Sequence, residues 1–176
     1  MKYGCYVLAI FLSLFLTNGL VAQDKIQWLS IEEVEQKLKQ ETRKVLVKIY
    51  TENCAWCKRM DEETFDKSFV ADYINQNFYA VALNAESEDE ILFNGKTYKF
   101  VKTGKRGHHE LAEELTKGNL SYPSVVFLDE NLKILQSVSG YKEYALFQQI
   151  MTYYGKNYHK KLPWSSYQNS FTPRNG

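Results

Sequence analysis

The sequence predicts an α/β domain, a central mixed β-sheet flanked by helices, and three observations carry that expectation. Val45-Leu46-Val47-Lys48-Ile49-Tyr50 is nearly continuous in apolar residues, the pattern of a central strand buried on both faces. A second strand-like run, residues 78–84, follows only after two helical stretches, so the connection is a crossover and the pair is parallel. Residues 124–128 and 132–138 are joined by the polar turn Asp129-Glu130-Asn131, which makes an antiparallel hairpin.

The elements follow in order. Ser30 and Glu33 have capping-box spacing, and Ile31, Val34 and Leu38 recur at helical intervals, which predicts a helix over 31–40. The strand at 45–50 comes next. Residues 55–63 suit a helix, and a second helix over 68–77 presents Phe69, Val70, Tyr73 and Ile74 as its apolar face. The strand 78–84 is followed by the acidic residues Glu86, Glu88, Asp89 and Glu90. Asn94-Gly95 then predicts a tight turn between Leu92-Phe93 and a strand over 97–101, an inserted hairpin. Its basic continuation, Lys96, Lys99, Lys102, Lys105 and Arg106, reads as a solvated face, with contact to an acidic partner as the sharper alternative. His108-His109 opens a short helix ending near Gly118 and is expected to be exposed; adjacent histidines diverge on a helix and make a poor chelate. The late hairpin ends at Gly140, and a final helix is expected over 142–153. Residues 156–176 are aromatic-rich and aperiodic, so they either wrap the domain or stay loose.

At 176 residues, with 44% hydrophobic and 15% aromatic content, the chain can bury the core of one globular domain. Lys2 precedes an apolar run from Tyr6 to Leu16 and a small residue, Ala22, which reads as a secretory signal peptide over 1–22. The run is well short of the roughly 20 residues that span a bilayer, so no stable membrane span is expected after cleavage. Cleavage removes one of 22 basic residues and none of 21 acidic ones, leaving 21 of each. That neutrality argues against nucleic-acid binding. Cys5 precedes the apolar run, which excludes a lipid-modified cysteine at the cut, and its removal leaves Cys54 and Cys57 as the mature thiols.

Those two thiols form a C-x-x-C directly after the first central strand and directly before a helix. With Cys54 in the first helical turn, Cys57 lies on the same face and within disulfide reach. A disulfide closing so short a loop contributes little stability, which favours a redox role. The helix amino terminus favours thiolate at Cys54, the attacking form. Cys54 is therefore the expected nucleophile and Cys57 the resolving thiol.

C-x-x-C after the first central strand, with an isolated proline opening the later hairpin, resembles the thioredoxin fold over residues 28–154. Cys54-Ala55-Trp56-Cys57-Lys58-Arg59-Met60 is similar to the C-x-W-C-K-x-M motif of secreted bacterial thioredoxin-like domains, and Tyr122-Pro123-Ser124-Val125-Val126-Phe127-Leu128-Asp129 to their second signature. The resemblance implies a thioredoxin fold with an inserted hairpin and helix before a cis-proline at Pro123. It also implies that Trp56, Tyr122, Pro123 and Ser124 contact substrate. Division into a signal peptide (1–22), a thioredoxin-like domain (23–155) and a carboxy-terminal extension (156–176) follows. Three positions depart from the family. The spacer is Ala55-Trp56 in place of Gly-Pro, Asn53 replaces a tryptophan, and Lys48 stands where thioredoxins keep a buried acid that takes the resolving thiol's proton. Lys48 and Lys58 are the expected modulators of thiol ionisation. For Lys48 the plainer reading is an amine that snorkels or pairs with an acid.

The function implied is an exported thiol-disulfide oxidoreductase, periplasmic or secreted, acting on protein thiols and disulfides without a cofactor. A reductant recharged by a membrane electron donor is favoured over an oxidant. Two alternatives stay open: a metal-binding or delivery module, since two thiolates at this spacing also hold Cu(I) or zinc, and a non-catalytic interaction module.

Overall fold

A computed structural model describes residues 25–104 and 106–174; the signal peptide expected at 1–22 lies outside them. The chain begins with β1 (Trp28–Leu29), α1 (Ile31–Leu38) and β2 (Lys44–Tyr50), then α2 (Ala55–Met60), which widens into a π-turn over Asp61–Phe65. Next come α3 (Ser68–Asn77) and β3 (Phe78–Asn84). The insert contributes β4 (Ile91–Phe93), β5 (Lys96–Tyr98), β6 (Phe100–Thr103), β7 (Arg106–His109) and α4 (Glu110–Thr116). The chain returns through β8 (Ser124–Leu128) and β9 (Ile134–Ser139) to α5 (Tyr144–Gly155).

The main sheet has the order β1-β3-β2-β8-β9, parallel across the first three strands and antiparallel across the last three. This is the mixed sheet the sequence predicts. β2 lies at its centre and alternates its side chains between two cores. Val45, Val47 and Ile49 enter the layer with Ile31, Leu111 and Leu115, whereas Leu46 enters the layer with Ile74, Phe147 and Met151. Lys48 has the parity of Leu46, so its stem runs into the second layer. The capping box forms as expected: the Glu33 N–H donates to Ser30 Oγ at 3.1 Å, and the Ser30 N–H donates to Glu33 Oε2 at 2.7 Å.

Three features differ from the expectations, each for a tertiary reason. β1 is too short to signal itself and exists because Trp28 and Leu29 pair with Ala80 and Val81. The expected strand over 97–101 breaks at Lys99, whose N–H donates to the Glu110 carboxylate at 2.8 Å and whose carbonyl accepts the Glu110 N–H at 2.9 Å. The chain turns there, and β6 and β7 form a second hairpin. His109 is wholly buried, not exposed. Its Nδ1 accepts the Leu111 N–H at 3.2 Å, so the proton belongs on Nε2, which faces the Asp89 carbonyl at 3.0 Å. The histidine thus caps α4 (0% exposed) and ties the insert to the loop after β3.

The carboxy-terminal segment is ordered by aromatic contacts. A 3₁₀ turn over Tyr158–Lys160 and α6 (Trp164–Ser170) fold back on α5, with Tyr153 at 5.2 Å from Trp164 and 5.0 Å from Tyr167. Gln148, buried on α5, receives the Arg174 N–H and donates to the Arg174 carbonyl, at 2.9 and 2.8 Å. His159 lies against Tyr153 and Tyr154, and its burial pushes the imidazole below its ordinary pKa. A histidine depressed in the folded state binds its proton first in the unfolded state. Its contribution is therefore complete above about pH 6.5 and is lost as pH falls below that value. We expect the melting temperature to drop by about 2–4 °C more between pH 7.5 and 5.5 in the native protein than in His159→Phe, read by calorimetry. Equal drops would remove His159 from the acid sensitivity.

Candidate active site

β2 ends at Tyr50, and the turn that follows is closed by the Cys54 N–H donating to the Thr51 carbonyl at 3.3 Å. This delivers Cys54 to the N-cap of α2. Its carbonyl accepts the N–H groups of Cys57 and Lys58 at 3.1 and 3.2 Å, and the Cys57 N–H also lies 3.0 Å from Cys54 Sγ. The two sulfurs are joined in a disulfide with the Cα atoms 5.2 Å apart. Cys54 is partly exposed, whereas Cys57 is 3% exposed and packs beneath. An incoming reagent meets Cys54 first. On reduction, the Cys57 N–H and the free amides of the first turn favour thiolate at Cys54 over thiolate in an apolar setting.

The Tyr122–Pro123 peptide is cis. β8 runs antiparallel to β2 with Ser124 opposite Ile49, so Pro123 and the C-x-x-C emerge at the same end of adjacent strands. The Gly140 N–H donates to the Pro123 carbonyl at 2.7 Å and holds the loop from the far side. Ser124 is buried, and its hydroxyl donates to the Ser121 carbonyl at 2.6 Å. What Ser124 offers the site is therefore loop shape, with its hydroxyl already engaged. Tyr122 is half-buried; burial and then the nearby Glu86 carboxylate push its phenol above the ordinary pKa.

Trp56 projects outward at 55% exposure, tilted against Tyr141 at 5.7 Å between ring centres. Arg59 covers both rings, at 5.4 and 5.3 Å, and its Nε lies 3.0 Å from Glu63 Oε1. The Tyr141 hydroxyl donates to the other Glu63 oxygen; that bond, and then the one from Arg59, hold the Glu63 carboxyl below its usual range. Trp56, Arg59, Glu63 and Tyr141 form one braced platform beside the disulfide. Lys58 is exposed on α2.

Lys48 is 8% exposed and sits in a cage of rings, with Trp28 at 4.9 Å, Tyr50 at 5.2 Å and Phe65 at 5.6 Å. Its Nζ lies 2.7 Å from Asp61 Oδ1. The amine is thus paired with an acid, as the plainer reading has it. Asp61 follows Cys57 by one helical turn, its N–H donating to the Cys57 carbonyl, and opens the π-turn. Where the resemblance places an acid on the strand, here the cation is on the strand and its carboxylate partner is on the helix. Asp61 escaped the sequence reading although its spacing of four from Cys57 was visible; Tyr141 and Glu86 reach the site through the fold alone. Among the described residues, no group of three or more His, Cys, Asp or Glu is placed to hold a metal ion, and no helix is long and apolar enough to cross a membrane.

A strand, an N-capping cysteine, a buried partner thiol and a facing cis-proline define a thioredoxin-type site. The family model described as the thioredoxin-like domain matches residues 31–155, and the chain belongs to that family. Among solved structures, a thioredoxin-fold protein from Helicobacter pylori is similar at a TM-score of 0.58 and 18% identity, covering 73% of this chain and 83% of that one. The DsbH oxidoreductase is similar at a TM-score of 0.52 and 19% identity, covering 75% and 85%. At these identities the likeness is one of fold. Spermatogenesis-associated protein 20 of Rattus norvegicus is 27% identical over 60 residues, 34% of this chain and 8% of that relative. The chain spans 12% or less of the curated relatives it matches.

Proposed function

We propose that the protein is an exported thiol-disulfide oxidoreductase that reduces protein disulfides through Cys54 and Cys57. The observation that carries this reading is the asymmetry of the pair: Cys54 is partly exposed and amide-stabilised, and Cys57 is buried directly beneath it. In the reduced protein the Cys54 thiolate attacks a substrate disulfide, forming a mixed disulfide and releasing one substrate thiolate. Cys57, as thiolate, then attacks Cys54 Sγ, releases the second substrate thiolate and leaves the protein disulfide. We assign Asp61, one helical turn after Cys57 and held in place by Lys48, as the carboxylate that takes the proton Cys57 must lose. Lys58 adds positive charge beside the pair, and Trp56, Tyr122 and the loop at Pro123 and Ser124 receive the substrate chain.

The leader over 1–22 supports a periplasmic or secreted location, where a reductant needs a membrane electron donor to return it to the dithiol form. The boundary between the thioredoxin-like domain (23–155) and the extension (156–176) belongs to the same reading. The test is to equilibrate the purified protein with glutathione and to assay insulin reduction. We expect turnover of insulin and a potential below about −200 mV, on the reducing side of the family's range. A potential near −120 mV, the value of a strong oxidase, would reverse the direction assigned.

A further inference from the structure

A groove of about 800 Å³ opens beside the disulfide, between the end of the main sheet and the β6–β7 hairpin. Asn53 and Tyr122 line its inner end, and each directly precedes a site residue, Cys54 and Pro123. Glu86 and Glu88 form one lip, on the loop after β3; Lys102 and Arg106 form the other, on the hairpin. Among the described residues, no ion pair involves any of these four side chains, although both signs of charge face one groove. The volume is in the range of clefts that hold small ligands or a few residues of peptide.

The groove is framed by anchored backbone. The Ala85 N–H donates to the Tyr50 carbonyl at 2.8 Å, and the His109 N–H donates to the Ala85 carbonyl at 2.7 Å, so the insert is tied to the end of β2. Buried His109 adds its ring contact to the Asp89 carbonyl. Phe100, on the groove wall, lies across Gly107: a Cβ there would stand 2.2 Å from the Phe100 ring and 2.7 Å from the Val101 carbonyl oxygen. The glycine lets the aromatic ring settle as a flat wall.

We propose that this groove holds the extended stretch of a substrate protein next to its reacting cysteine. It selects a stretch with a basic residue for Glu86 and Glu88 and an acidic residue for Lys102 and Arg106. The inference rests on the reading of the Cys54/Cys57 pair as an oxidoreductase of protein disulfides. A groove that reaches Asn53, the residue before the attacking cysteine, carries separated charges of both signs and has an aromatic wall matches an extended chain with alternating side chains. The inserted hairpin becomes the specificity element of the site.

The experiment compares the rates at which the reduced protein cleaves disulfide-linked peptides. One peptide flanks its cysteine with Lys and Glu, in both orders, the reference has Ser at both positions, and glutathione disulfide is a third substrate. The native protein should favour at least one charged order over Ser by roughly fivefold to tenfold, the scale of two exposed charge pairs, and the preference should collapse in 0.5 M NaCl. Lys102→Glu/Arg106→Glu should remove the preference and favour a peptide with Lys at both flanks; Glu86→Gln/Glu88→Gln, a milder pair, should halve it or more. Native protein that cleaves every peptide at one rate, or variants that keep the native preference, would overturn the proposal. Charge effects confined to glutathione disulfide would also overturn it, in favour of a small zwitterionic thiol. Native protein that cleaves no disulfide sinks the oxidoreductase reading itself, and the groove's role with it.

Discussion

Cys57→Ser should convert the protein from a turnover catalyst into a trap. With Cys54 partly exposed and its resolving partner gone, attack on a substrate disulfide should still occur, but the mixed disulfide has no internal thiol to release it. The expected result is a covalent adduct, visible on non-reducing gels and dissolved by dithiothreitol, with insulin turnover down by at least about a thousandfold. Cys54→Ser should lose turnover as completely and yield no adduct, because Cys57 is buried beneath the position it would need to attack from. Adducts of equal yield in both variants would sink the assignment of nucleophile and resolver. Stability should change little in either, since the disulfide closes a loop of only two intervening residues.

The second large effect belongs to the Lys48–Asp61 pair. Removing one member of a fully buried pair costs about 3–5 kcal/mol, because the other charge is left uncompensated. Asp61 keeps 38% of its side-chain exposure, so water softens the loss, and Asp61→Ala should cost about 2 kcal/mol in urea unfolding. Lys48→Met keeps the packing of the stem against Trp28, Tyr50 and Phe65 and should cost about 1 kcal/mol or less. The double variant should be less destabilised than the sum of the singles by about 1 kcal/mol; strict additivity would show that the pair is not coupled. On the proposed role for Asp61, Asp61→Asn should slow release of the mixed disulfide below neutral pH while leaving its formation unchanged. Slowing of both steps alike would assign Asp61 to structure alone.

The Lys48–Asp61 pair shows how far a local pattern carries. Lys48 at the strand position was readable, and so was its departure from the acid that thioredoxins place there. Its partner was not, because the pairing depends on which face of α2 meets β2 and on the π-turn that begins at Asp61. The same holds at Lys99. The run from Thr97 to Val101 has strand composition throughout, and only the Glu110 carboxylate, 11 residues away, makes a turn there the cheaper way to satisfy the backbone. His109 likewise looked like a surface residue because its neighbours Arg106 and His108 are polar. Burial came from the Asp89 carbonyl and the Leu111 amide, which together satisfy both ring nitrogens.

The sequence by itself determined the features whose cause lies within a few residues. The apolar run of β2, the capping box of α1, the Asn94-Gly95 turn and the C-x-x-C at a strand-to-helix junction all follow from periodicity, cap chemistry and spacing. Together they specify the family and the paired cysteines at its site. Only the tertiary structure decided what surrounds those sulfurs: the acid that answers Lys48, the Trp56–Tyr141 platform, and the groove between Glu86 and Arg106. Each of these joins residues from separate elements. Their contact energies depend on distances that sheet order and insert anchoring set, and no local pattern in the chain encodes those distances.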